Sequence, residues 1–255
     1  MMEYSIQNPH NTELGSTLPP FSNAWGLFLD VDGTLLDFAL RPQDVALSAG
    51  LVDVLESLHR RIPLAFISGR RIADLDRLFA PLLLLAAGQH GAERRPLGGQ
   101  TVCQPVSRID LERARDILMR WAELHPGTIV EDKGLTLALH YRQAPALAAA
   151  AAEAVRNAAR SLHSIYEIVA GNMVWEVRAA ACNKGRAIEA FMEEAPFSGR
   201  IPVFIGDDVA DEAGFALVNR RGGHSFKVAR AQASRAFVLP RWAKCSNGCA
   251  LMRRG

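Results

Sequence analysis

Four short apolar runs limit what this chain can fold into: "WGLFL" at residues 25–29, "PLAFI" at 63–67, "LLLLAAG" at 82–88 and "IPVFIG" at 201–206. Each is continuously apolar rather than alternating, and helix-like segments follow at 42–60, 72–79, 185–194 and 210–218. A strand without a polar face is covered on both sides, and strands joined by helices run parallel. The expectation is an α/β fold: a doubly wound, mostly parallel sheet, with "HSFKVA" at 224–229 as its last strand.

The pattern changes between about residue 106 and residue 178. Residues 108–125 place Ala114, Ile117, Leu118, Trp121 and Leu124 at helical spacing. "TIVEDKGLTLALHYR" reads as two strands around Lys133-Gly134, with Leu137, Leu139 and Tyr141 on one face. A second helix spans 144–163, and residues 166–178 form a hairpin around Gly171-Asn172. Alternation indicates an antiparallel sheet with one wet face. The expected organisation is a core of 25–105 and 179–255, interrupted by a smaller α+β domain at 106–178. Residues 1–24, polar and carrying Pro19-Pro20, read as a flexible arm.

The charge balance excludes some classes of function. With 29 Lys and Arg against 27 Asp and Glu, and no long basic run, neither a nucleic-acid nor a membrane-surface protein is expected. No apolar stretch is uniform enough to span a bilayer, and the N-terminus lacks the features of a signal peptide. Cys103, Cys182, Cys245 and Cys249 do not form paired C-x-x-C clusters. They read as free thiols, which places the chain in a reducing cytoplasm.

The strand ends carry the chemistry. The first run closes on Asp30 with Asp32 two residues on, the second on Ser68, and the last on Asp207 and Asp208. Ligands of open parallel sheets bind outside the carboxyl ends of the strands, so these groups should meet. Like charges there repel and pay for desolvation, which calls for a metal ion, a lysine, or both. Asp30, Asp32, Asp207, Asp208 and Asp211 form an all-oxygen set suited to Mg²⁺. Phosphoryl transfer through an aspartyl-phosphate uses such a set, with Asp30 as nucleophile and Asp32 as proton shuttle. Gly33 allows a tight turn that aims main-chain N–H groups at phosphoryl oxygens. Thr34 and Ser68 supply hydroxyls, Gly69 and Arg70 are expected beside them in substrate binding, and Lys184 balances the negative charge.

"DVDGT" (30–34), "SGR" (Ser68, Gly69, Arg70), Lys184 and "GDDVADE" (206–212) resemble the four motifs of the haloacid dehalogenase-like superfamily. The strings "GQHGAERR" (88–95), "VEDKGLTLALHYR" (130–142) and "GDDVADEAGFA" (206–216) resemble the trehalose-6-phosphate phosphatase family more narrowly. The resemblance implies a Mg²⁺-dependent phosphatase whose small-molecule partner is trehalose 6-phosphate. Asp30 and Asp207 would ligate the ion by their carboxylates, and Asp32 by its main-chain carbonyl. It also makes the insertion a mobile cap whose Glu131, Lys133 and Glu176 grip the sugar. Period-2 spacing agrees in part, because Glu131 and Lys133 share a face and Glu176 points opposite Trp175 and Val177. The tail after Lys227 is basic and cysteine-bearing, unlike the family's, and no role is carried onto it.

Other positions keep two readings. His90 contacts phosphate or sugar, or satisfies a loop carbonyl. Arg142 binds substrate or pairs with Glu131. Asp208 caps the following helix or orients a loop, and Asp211 is expected to pair with Lys184. His140 and Tyr141 read as strand residues rather than ligands. The chain is expected to act as a monomer. The competing functions are a phosphatase or mutase for another sugar phosphate, and a non-catalytic sugar-phosphate sensor.

Overall fold

The computed structural model describes residues 4–6, 19–37, 45, 47–103, 108–160, 162 and 165–228. In chain order the elements are β1 (Tyr4–Ile6), β2 (Trp25–Leu29), α1 (Leu51–His59), β3 (Leu64–Ile67), α2 (Ile72–Phe79), β4 (Leu85–Gly88), β5 (Glu93–Arg95) and β6 (Val102–Cys103). Then come α3 (Arg108–Glu123), β7 (Ile129–Asp132), β8 (Leu137–His140), α4 (Ala148–Ala159), β9 (Tyr166–Gly171) and β10 (Val174–Ala179). The described chain closes with α5 (Lys184–Met192), β11 (Ile201–Gly206), α6 (Glu212–Arg220) and β12 (His224–Val228).

Strands β12, β11, β2, β3 and β4 lie side by side and all pair parallel. Both faces of this sheet are covered, as the apolar runs require. One face carries Leu27, Leu29, Phe66 and Ile205 against Leu55 and Leu58 of α1 and Leu75 and Phe79 of α2. The other carries Phe28, Ala65 and Phe204 against Ile188 and Phe191 of α5 and Phe215 of α6. Phe28 stacks on Phe197 with ring centroids 4.7 Å apart. Truncating such a ring to alanine costs about 3–5 kcal/mol.

The sheet extends beyond the expected strands. β5 and β6 add antiparallel at the β4 edge, and β1 pairs antiparallel with β12 at the other. "ERR" carries no strand signal of its own; Arg95 is held by two bonds to Asp76 and one to the Leu84 carbonyl. The segment read as a loose arm thus includes a strand at Tyr4–Ile6, while 7–18 lies outside the described residues. So do 38–44, 104–107 and the tail from 229 with Cys245 and Cys249. The first helix starts at Leu51 rather than near residue 42, because Gly50 before it has φ of 81°.

The second sheet runs β7-β8-β10-β9, antiparallel throughout. One face carries Val130, Leu137, Leu139, Trp175 and Val177, packed on α3 and α4 through Leu111, Ala114, Leu118, Ala151 and Val155. The register sets Glu131 and Glu176 on either side of Ala138, so both carboxylates share the opposite face. No helix among the described residues is long and apolar enough to cross a membrane.

Candidate active site

Asp30 continues the β2 ladder by donating its N–H to the Ile205 carbonyl at 2.9 Å. The residue is 3% exposed and both carboxylate oxygens are engaged. Thr34 Oγ1 donates to Oδ2 at 2.9 Å, and Lys184 Nζ donates to Oδ1 at 2.6 Å. Lys184 is the first residue of α5, fixed there by Asn183, whose side chain accepts from the Arg186 N–H. The same ammonium donates to Asp211 Oδ1 at 2.5 Å. The other Asp211 oxygen accepts from the N–H groups of Asp207 and Asp208 at 3.0 and 2.9 Å. Asp211 therefore pairs with Lys184 as expected and also ties down the turn after β11. Asp208 caps that turn, accepting from the Val209 N–H.

Carboxylate oxygens of Asp30, Asp207 and Asp211 lie within 4.8 Å of one another. Burial pushes the Asp30 carboxyl well up; Lys184 opposes this, and Asp211 and Asp207 add to it. Burial works against the Lys184 charge, yet Asp211 and Asp30 drive its pKa far up. Three crowded carboxylates against one lysine leave a negative excess. Hard oxygen donors with that excess fit a divalent cation such as Mg²⁺. Asp211 is the most heavily committed of the three, since Oδ1 accepts from Lys184 and Oδ2 from two main-chain N–H groups, so it supports the turn.

Asp32 faces a different partner. Arg70 grips it in a fork, Nε to Oδ2 at 2.8 Å and Nη2 to Oδ1 at 2.6 Å. Arg70, expected to touch substrate, is thus placed on the second aspartate. Its N–H donates to Ser68 Oγ at 3.1 Å, so buried Ser68 keeps its own hydroxyl proton to donate. Gly33 has φ of 87°, and a Cβ there would sit 2.2 Å from Asp207 Oδ2. The tight turn is therefore present, but the Gly33 N–H closes it by donating to the Leu36 carbonyl at 2.7 Å rather than pointing outward.

The wet face of the second sheet covers these groups. Glu176 is buried between Lys133 Nζ at 2.9 Å and His90 Nε2 at 2.7 Å. Burial alone would raise the Glu176 carboxyl, but Lys133 and His90 overcome it and hold it well below the usual range. Glu131 meets His140 Nε2 at 2.9 Å and Lys133 at 3.8 Å. Burial would raise Glu131 as well, yet His140 and Lys133 bring it down. Arg142 donates to the Asn172 carbonyl at 3.1 Å. Of the two readings for His90, the carbonyl is replaced by a carboxylate of the opposite sheet.

A cleft of about 150 Å³ joins the two sides. Asp30, Asp32, Gly69, Arg70, Lys184 and Asp208 line it from the large sheet, and Glu131, Lys133, Arg142 and Glu176 from the small one. Thr34, Ser68 and Asp211 are buried behind the wall, and Gly33 and Asp207, half-buried, are not among its lining residues. His140, read as a plain strand residue, also lines the cleft. Its position two residues from Ala138 puts it on the Glu131 face, a signal present in the alternation of "LALHY".

A sequence model described as trehalose-phosphatase matches residues 28–239. A probable trehalose-phosphate phosphatase of Sinorhizobium fredii is 41% identical over 206 residues, covering 80% of this chain and 77% of that protein. The trehalose-6-phosphate phosphatase of Escherichia coli is 40% identical over 225 residues, covering 85% and 82%. The C-terminal domain of a C. albicans trehalose-6-phosphate phosphatase shares the fold, with a TM-score of 0.68 at 24% identity over 78% of this chain and 76% of that one.

Proposed function

The chain belongs to the trehalose-phosphatase family, and on that premise we propose how its cleft hydrolyses trehalose 6-phosphate to trehalose and phosphate. The observation that carries the reading is one cleft with Asp30, Asp32 and Lys184 on one wall and Glu131, Lys133 and Glu176 on the other. A phosphate monoester of a polyol needs these two kinds of wall. The α+β insertion, 106–178, acts as the cap, and its carboxylates accept from sugar hydroxyls while Lys133 donates.

Asp30 attacks phosphorus, and the bond from phosphorus to the sugar oxygen breaks. Once the Arg70 fork has opened and Asp32 has taken up a proton, Asp32 gives that proton to the departing oxygen, leaving an aspartyl-phosphate on Asp30. Asp32 then takes a proton from water as the water oxygen attacks phosphorus, which frees phosphate and restores Asp30. Lys184 neutralises Asp30 between the steps, Thr34 Oγ1 orients the Asp30 carboxylate, and the Ser68 hydroxyl serves the phosphoryl side. Before substrate enters, Arg70 holds Asp32 at the cleft wall. Asp30 and Asp207 side chains with the Asp32 carbonyl would hold Mg²⁺, which when bound supplies positive charge to the phosphoryl oxygens.

The enzyme works as a cytoplasmic monomer in this reading. Cys103 and Cys182, free thiols, are consistent with a reducing compartment.

The test is phosphate release from trehalose 6-phosphate, glucose 6-phosphate, sucrose 6-phosphate and mannose phosphates, with Mg²⁺ and with EDTA. Release confined to trehalose 6-phosphate and lost in EDTA is expected. Equal release from all four would remove the sugar assignment, and none with Mg²⁺ would overturn the phosphatase.

A further inference from the structure

His90 stands in the turn Gln89–Gly91 after β4, with φ of 59° and ψ of 23°. Its imidazole lies over Gly69, where a Cβ would come within 2.8 Å of Nε2. The ring is buried, and among the described residues its one polar contact is Nε2 to Glu176 Oε2 at 2.7 Å. The other ring nitrogen, Nδ1, is buried and has no hydrogen-bond partner among the described residues. Because a carboxylate only accepts, Nε2 carries the proton and donates. A left-handed backbone at a non-glycine residue and an unsatisfied ring nitrogen both cost free energy. The left-handed turn is shared with Gln89, at φ of 47°, and is pinned by the Gln89 and His90 N–H groups on the Arg70 and Ser68 carbonyls at 2.8 and 2.9 Å; the unpartnered Nδ1 has no such account.

Glu176 has one partner from each side of the cleft. Oε1 accepts from Lys133 of its own sheet, and Oε2 from His90 of the large sheet. A buried carboxylate needs both of its oxygens satisfied to stay ionised and fixed. Next door, Gln89 Oε1 accepts from the Leu135 N–H and Thr136 Oγ1, both at 3.2 Å. Two consecutive residues of the large sheet therefore grip the second sheet at two places.

We propose that His90 is a positioning residue for sugar recognition: from the large sheet it fixes the Glu176 carboxylate, so that the sugar grip is complete only when the second sheet is seated over Gly69 and the phosphoryl site. This rests on the reading of Glu176 as a sugar-binding group. It links substrate choice to closure, since Glu176 loses a partner whenever the two sheets part.

The experiment compares kcat/KM for trehalose 6-phosphate and for p-nitrophenyl phosphate, which offers no sugar hydroxyls, in wild type, E176Q, H90N and H90Q. Asparagine accepts the left-handed backbone better than other residues but is too short to reach Glu176. Glutamine fits the backbone less well, yet its amide nitrogen falls near the place of Nε2. The expected result is a loss of about 10- to 100-fold with trehalose 6-phosphate in H90N, the scale of one hydrogen bond to a charged group. H90Q should recover much of it, and p-nitrophenyl phosphate should change little in either. A better-tolerated H90N than H90Q, or an equal loss on both substrates, would mean that His90 serves the turn and would overturn the proposal. If E176Q leaves trehalose 6-phosphate turnover intact, the reading of Glu176 fails instead. If E176Q loses it and H90N does not, the proposal alone fails.

Discussion

Lys184 Nζ lies 2.6 Å from Asp30 Oδ1, although 154 positions separate the two residues in the chain. The contact requires β2 and α5 to meet at one end of the sheet, and a second bond from the same ammonium reaches Asp211. Replacing Lys184 by methionine leaves buried carboxylates without their cation. Removing one partner of such a set costs about 3–5 kcal/mol. Lys184→Met should therefore lower the urea midpoint as well as cut kcat/KM by more than about 100-fold. A variant as stable as wild type would mean that the lysine is not the counter-charge.

Gly33 couples the turn after β2 to Asp207. A methyl group at that position would lie 2.2 Å from Asp207 Oδ2, on a backbone with φ of 87°. Left-handed backbone alone costs an alanine about 1–2 kcal/mol. Gly33→Ala should displace the Asp207 carboxylate, weaken the rise in melting temperature on adding Mg²⁺, and reduce turnover at least about tenfold. Unchanged Mg²⁺ stabilisation would show that Asp207 does not hold the ion.

Acid stability should fall in two stages that begin at different pH. Burial pushes the His90 imidazole below its ordinary 6.5, against the pull of Glu176. As pH falls below 6.5, the unfolded chain takes up a proton before folded His90 does, so stability is present above that pH and lost through the folded value. For Glu176, burial is overcome by Lys133 and His90, and the carboxyl lies well below 4.5. Its contribution is present above 4.5 and lost on further acidification. Denaturation at a series of pH values should show the gap between wild type and H90N moving in favour of the variant below 6.5. The slope for one proton is at most about 1.4 kcal/mol per pH unit. A gap independent of pH contradicts the buried, neutral imidazole.

Much of this arrangement was legible in local sequence. Apolar runs that end in Asp30, Ser68 and Asp207 mark parallel strands and the edge where ligands bind. Alternation around Leu137 and Leu139 located the wet face that carries Glu131. What stayed hidden depends on contacts between distant segments. Arg70 follows a hydroxyl motif, and nothing local shows that its fork closes on Asp32, 38 positions away. The strands β5 and β6 are short and partly charged, so only their neighbours make them strands. His90 could not be assigned, because a left-handed conformation in a non-glycine residue leaves no trace in periodicity. Its partner Glu176 lies 86 positions on, in the other sheet.

The central claim is that Asp30 carries the phosphoryl group. Enzyme quenched during turnover of trehalose 6-phosphate can be reduced with borohydride, which converts an aspartyl-phosphate to homoserine, and then mapped by mass spectrometry. Homoserine at position 30, absent in Asp30→Asn and without substrate, is the expected result. Ongoing phosphate release with no homoserine at position 30, or with homoserine at another aspartate, would contradict the account.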